Sequence, residues 1–78
     1  MKGAAVMFKV NITNAVGMNI EAGTVTAAKV EKNDNRTYSV LVTINDTDYW
    51  VIDTERYSDA WEISSAIMVL SKVERGVE

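Results

Sequence analysis

Residues 38–54, YSVLVTINDTDYWVIDT, decide the fold that this sequence predicts. Every second side chain from 38 to 44 is large and apolar, which is the period-two pattern of a β-strand. Turn-forming residues follow at 45–48, and β-branched and aromatic residues return at 49–54. The stretch therefore predicts two antiparallel strands joined by a tight turn, the third and fourth strands of the chain.

The register of this hairpin determines which side chains share a face. A two-residue loop at 46–47 would place Val42 opposite Val51 and Ile44 opposite Tyr49, which makes one face apolar throughout. Three further apolar side chains then fall on the other face: Leu41, Trp50 and Ile52. Asp-Thr is not a favoured hairpin turn, so a slip of one residue, which would swap the faces of the fourth strand, stays open.

Two more strands are predicted before this hairpin. Apolar and polar residues alternate over 6–13, and 14–17 reads as a turn. The alternation resumes at Met18 and changes phase at Gly23, which indicates a bulge or corner within a strand that continues to about residue 30. A second turn at 33–35 leads into the hairpin.

The C-terminal segment predicts one α-helix, with Ser58 or Asp53 as its N-terminal cap and Gly76 as its end. We expect a stripe of apolar residues at helical spacing to lie on the sheet: Ala60, Ile63, Ala66, Ile67, Leu70 and Val73. Trp61 and Met68 are expected to project from the opposite side of the helix. The predicted fold is α+β, an antiparallel β-sheet of about four strands packed on one C-terminal α-helix (ββββα), as a single domain over residues 1–78.

Composition argues against an enzyme. The 78 residues include no Cys and no His, which excludes disulfides and thiol chemistry and removes the commonest metal ligand. The acidic residues between 46 and 62 match no calcium-loop spacing, and the serines have neither a histidine base nor a glycine elbow. We therefore expect no catalytic residue, no metal and no cofactor.

The sequence also predicts a cytoplasmic protein without membrane contact. No apolar run reaches the roughly 18–20 residues of a membrane span. The N-terminal region begins like a signal peptide, but Lys9, Asn11 and Thr13 interrupt its apolar part.

Charge is unevenly distributed along the chain, whose net charge is −3. Residues 1–45 contain five basic and three acidic residues, whereas residues 46–78 contain three basic and eight acidic residues. We expect the acidic segment to steer the protein towards a basic surface of a partner.

These observations favour a non-enzymatic protein-binding module that acts by occluding a partner surface. In size, charge and lack of catalytic equipment the chain resembles the small inhibitors that bacteriophages encode against host enzymes or defence systems, although no motif carries this likeness. The predicted partner-binding residues are Trp61, Met68, Trp50, Asp48, Glu55 and Glu62. A core this small, without disulfides or metals, is also expected to gain stability by forming a homodimer.

Two alternatives remain open at this point. The first is a small nucleic-acid-binding module in which basic and aromatic residues share a sheet face: Lys9, Lys29, Lys32, Arg36 and Tyr38. These bases are few and scattered, so nucleic acid is the less favoured partner. The second concerns Trp61 alone, which could fold over the end of the sheet and fill the core instead of forming an interface.

Overall fold

The computed structural model describes residues 11–75 and shows an α+β architecture of antiparallel strands and one C-terminal helix. The elements are β1 (Asn11–Thr13), β2 (Asn19–Glu21), a 3₁₀ turn (Ala22–Thr24), β3 (Ala27–Lys32), β4 (Tyr38–Ile44), β5 (Thr47–Thr54) and α1 (Tyr57–Arg75). The predicted fold class is confirmed at this level. Of the strand predicted over 6–13, residues 6–10 lie outside the described part of the chain.

The strands form two sheets, whereas the sequence predicted one. β1 and β2 make a two-stranded antiparallel sheet, and β3, β4 and β5 make a three-stranded antiparallel sheet in that order. The 3₁₀ turn separates β2 from β3 at Gly23, where the sequence predicted a corner within one strand. A Cβ atom on Gly23 would lie 2.7 Å from a carboxylate oxygen of Glu74, so the absence of a side chain at Gly23 leaves room for the Glu74 side chain beside the turn.

The β4–β5 hairpin turns one residue earlier than predicted. Asn45 and Asp46 are its two central residues, with φ angles of +52° and +66°, and Ile44 pairs with Thr47. Two consecutive positive φ angles define the type I′ turn that favours Asn and Asp, whereas a β-branched Thr would be strained there. The predicted Asp46-Thr47 loop is therefore wrong, and Val42 pairs with Tyr49 instead of Val51.

A bulge in β5 changes the face of the sheet on which the side chains in the second half of the strand lie. Leu41 pairs with Trp50 and Val40 pairs with Ile52, which leaves Val51 as the extra residue. Leu41 and Trp50 share a face, as predicted. Ile52 does not share it, because the bulge brings Ile52 opposite Val40 and into contact with the core.

The bulge coincides with the contact between the two sheets. The backbone N–H of Ala15 donates a hydrogen bond of 2.9 Å to the carbonyl of Val51. The Asn14 amide donates a second bond, of 3.0 Å, to the carbonyl of Trp50. The turn between β1 and β2 is thereby fixed to the edge of β5.

Helix α1 begins without either predicted cap. The N–H of Ala60 donates to the carbonyl of Arg56 at 3.2 Å, which makes Arg56 the residue at the N-cap position. Ser58 lies inside the first turn, and the Asp53 carboxylate binds other partners. The predicted end at Gly76 lies outside the described residues. No helix within residues 11–75 is long and apolar enough to cross a membrane.

The core lies between α1, the 3₁₀ turn and one face of the three-stranded sheet. Its buried apolar residues are Ile20, Ala22, Val25, Val40, Val42, Val51, Ala60 and Ile67. The largest side chains that are completely buried are only three valines and Ser71. Among residues 11–74, most of the larger side chains therefore lie partly or wholly at the surface.

Candidate protein-interaction surface

Helix α1 turns its small residues inwards. Four residues form its buried side: Ala60, Ser64, Ile67 and Ser71. Their spacing of three and four residues places them on one face of a helix. The serines are satisfied there, since Ser64 donates to the carbonyl of Trp61 and Ser71 to that of Val25, both at 2.9 Å.

Several apolar residues on the other sides of α1 are exposed to solvent. The predicted inward stripe is correct for Ala60 and Ile67 and is wrong for Ala66, Leu70 and Val73, which are exposed. Val69 and Val73 are 59% and 51% exposed, and Leu70 is 36% exposed. The helix is rotated from the predicted orientation because small inward side chains allow close packing of α1 on the 3₁₀ turn and β3.

An apolar groove follows from this orientation. It has a volume of about 300 Å³ and runs between α1 and the part of β5 that contacts the β1–β2 sheet. Its lining consists of Ile12, Thr13, Ala15, Val51, Ile52, Ile63, Ala66, Ile67 and Leu70. None of these residues ionises, so the groove offers shape and apolar surface and no acid–base group.

The two residues predicted to project together from α1 lie in different environments. Trp61 is 55% exposed, so the alternative in which it fills the core is wrong. Met68 does not project outwards as expected; it is half-buried and packs against the core. This difference follows from the rotation of α1, which moves Met68 towards the sheet.

Trp50 lies on the face of the three-stranded sheet that α1 does not cover. Its indole N–H donates to Oδ1 of Asp53 at 2.7 Å, and the same oxygen accepts a hydrogen bond from Ser39. The amide of Asn33 extends this network by donating to Ser39 at 2.8 Å. The hydrogen bond from Ser39, followed by that from Trp50, lowers the pKa of Asp53 below its ordinary value of 3.8.

A second polar group lies on the same sheet face. Asp48 forms an ion pair of 2.5 Å with Lys29 across the sheet and accepts a hydrogen bond of 2.6 Å from Thr43. The hydrogen bond from Lys29 is the main cause that lowers the pKa of Asp48, and the same contact raises the pKa of Lys29. This face is therefore largely occupied by its own polar contacts.

The predicted acidic partner-binding residues do not form one cluster. Asp48 lies on the open sheet face, Glu55 in the connection between β5 and α1, and Glu62 on α1; all three are exposed. Among the described residues, no three acidic side chains converge on a position that could hold a metal ion. Electrostatic steering by these residues remains a prediction.

The basic residues of the alternative nucleic-acid site are also dispersed. Lys29 and Lys32 lie on opposite faces of β3, since they are three positions apart in the strand. Lys29 is paired with Asp48, and Tyr38 makes an edge-to-face contact with Tyr57 at 5.6 Å. Lys9 lies outside the described residues. Lys32 lies opposite Tyr38 in the β3–β4 pair, so one lysine and one aromatic residue of the predicted set share a face, whereas Lys29 lies on the other face.

No protein-family model, curated protein or solved structure matches this chain. The surface that sequence reasoning missed is the groove between α1 and β5. One signal was present, because Ser64 and Ser71 continue the helical spacing of Ala60 and Ile67. The bulge at Val51, which completes the groove, has no local signal.

Proposed function

We propose that this chain is a non-enzymatic protein-binding module that acts in the cytoplasm by occluding a surface of a partner protein. The observation that carries the proposal is the distribution of side chains on α1. Small residues face the core, whereas Leu70 and Val73 face solvent on the side of α1 that borders the apolar groove. Exposed apolar surface of this kind marks sites of protein interaction.

The chemistry of the groove favours an apolar segment of a protein over a small substrate. Ligand pockets combine apolar walls with a few polar groups that orient the ligand. Here Thr13 supplies the single polar side chain of the lining. A volume of about 300 Å³ accepts a few apolar side chains from a strand or helix of a partner. An inhibitor encoded by a bacteriophage is one module of this type, and we retain that origin as part of the proposal.

Photo-crosslinking from the groove tests this function. The chain has no Cys, so a single Ala66→Cys substitution carries a benzophenone group at the rim of the groove. Asp34→Cys, in the exposed β3–β4 turn, is the matched control. Both labelled proteins are mixed with an extract of bacterial cells and irradiated. We expect one partner protein to be crosslinked at position 66 and not at position 34.

Adding Leu70→Asp to the Ala66→Cys protein should abolish that crosslink, because a carboxylate would then be buried in the apolar contact. Competition by unlabelled protein should remove it as well. Crosslinks at position 66 that reach only residues 1–10 of the same chain would show that the groove is occupied internally, and crosslinks that reach only a second copy would show that this surface meets another copy of the chain and not a different protein. Either result, or equal labelling from position 34, would overturn the proposed function.

A further inference from the structure

The side of α1 that points away from the sheet carries four residues in a row. Glu62, Ser65, Val69 and Lys72 follow one another at spacings of three, four and three residues, so they lie along one line of the helix surface. Glu62, Val69 and Lys72 are exposed, and Ser65 is half-buried. We call these four residues the outer seam.

Apolar side chains lie on both sides of the outer seam. Ala66 and Val73 lie along the side nearer the groove, and Trp61 lies along the other side at 55% exposure. The seam is therefore a polar and charged line with one central valine, bordered by apolar surface. In paired helices, ion pairs between charged side chains of the two helices influence which partner and which orientation are favoured.

We propose that α1 pairs antiparallel with α1 of a second copy of this chain through the outer seam. Ile67 lies midway in sequence between Glu62 and Lys72. A twofold axis at the level of Ile67 therefore brings Glu62 of each copy beside Lys72 of the other. The same axis places each Val69 beside Ser65 of the other copy, where a small side chain leaves room for it.

The charges of the seam select a second copy over an unrelated helix. A twofold axis makes each contact occur twice, so a helix with an acid towards one end and a base towards the other is complementary to itself. The antiparallel arrangement also opposes the two helix dipoles. This inference goes beyond the proposed function and rests on other residues, because none of the four residues of the outer seam lines the groove.

Sedimentation velocity of the purified protein gives the first test. The apparent mass should rise from 8.6 kDa towards twice that value as concentration increases from about 10 to about 500 μM. Val69→Glu should raise the dissociation constant at least about tenfold, since it introduces two carboxylates at the centre of the contact. Circular dichroism should show the same helix content, because Val69 is exposed. A monomer over the whole range, or unchanged association of Val69→Glu, would overturn the proposal.

Charge reversal provides the sharper test. Glu62→Lys and Lys72→Glu each replace two attractive contacts with two repulsive ones, so each variant alone should associate about tenfold more weakly. A mixture of the two variants has opposite charges at both contacts and should form a heterodimer as tight as the native dimer. The matched controls, Glu55→Lys and Lys32→Glu, reverse exposed charges outside α1 and should leave association unchanged. Failure of the mixture to associate, while native protein does, would exclude the antiparallel register.

Discussion

The hydroxyl of Ser71, near the C-terminal end of α1, donates a hydrogen bond of 2.9 Å to the backbone carbonyl of Val25, the residue after the 3₁₀ turn. Both residues are completely buried, and they are separated by 46 positions in the chain. This bond holds the inward side of α1 against the turn. It therefore fixes the helix orientation that leaves Leu70 and Val73 outside.

Replacing Ser71 with Ala should lower the free energy of unfolding by about 1–2 kcal/mol, because the substitution removes a buried hydrogen bond. Urea denaturation measures the difference. Ser65→Ala is the control, since it makes the same change in the middle of α1 on the outward side and should alter stability by less than about 0.5 kcal/mol. Equal effects of the two substitutions would show that the Ser71 bond contributes nothing.

Replacing Asp46 with Gly should stabilise the protein by up to about 1 kcal/mol. Asn-Gly is the preferred pair for a turn with two positive φ angles, and Asp46 has a φ of +66°. Asn45→Val should have the opposite effect, about 1–2 kcal/mol, because a β-branched residue is strained at positive φ. Thermal and urea unfolding give both values. If Asp46→Gly is no more stable than Asp34→Gly in the β3–β4 turn, the assigned register is wrong.

The Asp53 network should depend on pH. The pKa of Asp53 is lowered in the folded state, so its ionised form stabilises the fold above about pH 4, and this contribution is lost as the pH falls through the lowered pKa. In a Trp61→Phe protein, Trp50 is the remaining tryptophan and reports on Asp53 through its hydrogen bond. Its fluorescence should titrate with a midpoint below 3.8 and should not titrate in Asp53→Asn. A midpoint at or above 3.8 would contradict the network.

The protein should not bind nucleic acid through its described surface. Lys29 is already paired with Asp48, and Lys32 lies on the other face of β3. Fluorescence anisotropy with labelled single- and double-stranded DNA, at salt concentrations of about 25 and 150 mM, tests this expectation. Binding at low salt that weakens steeply as salt rises would be the signature of phosphate contacts and would restore the alternative function.

The spacing of apolar residues along the sequence predicted β4 and α1, because the formation of a strand or helix depends largely on residues that are close in sequence. The alternation at 38–44 located β4, and the helical spacing of Ala60 and Ile67 located α1. The hairpin turn lies one residue earlier than predicted, which shifts the strand pairing by two residues, because the positive φ angles of Asn45 and Asp46 outweigh the alternation around them.

The predictions of which side chains share a face of the sheet or of α1 were wrong in part, because contacts between distant parts of the chain determine those faces. Ile52 changes face at the bulge, where Val51 binds Ala15 from a distant part of the chain. The orientation of α1 depends on the bond between Ser71 and Val25. The bulge leaves no signal in its own segment. The spacing of Ser64 and Ser71 marks a side of α1 but does not show what that side packs against, so the groove could not be predicted from the sequence.

The hydrogen bonds from Asn14 and Ala15 to β5 also affect how sheets from different molecules can meet. The three-stranded sheet has two edges, β3 and β5. At the middle of β5, the carbonyls of Trp50 and Val51 are already occupied, so an incoming strand would have to displace the β1–β2 turn. β3 carries charged side chains at 29, 31 and 32, which oppose uncontrolled strand addition. Growth of the sheet from copy to copy is thus hindered at both edges.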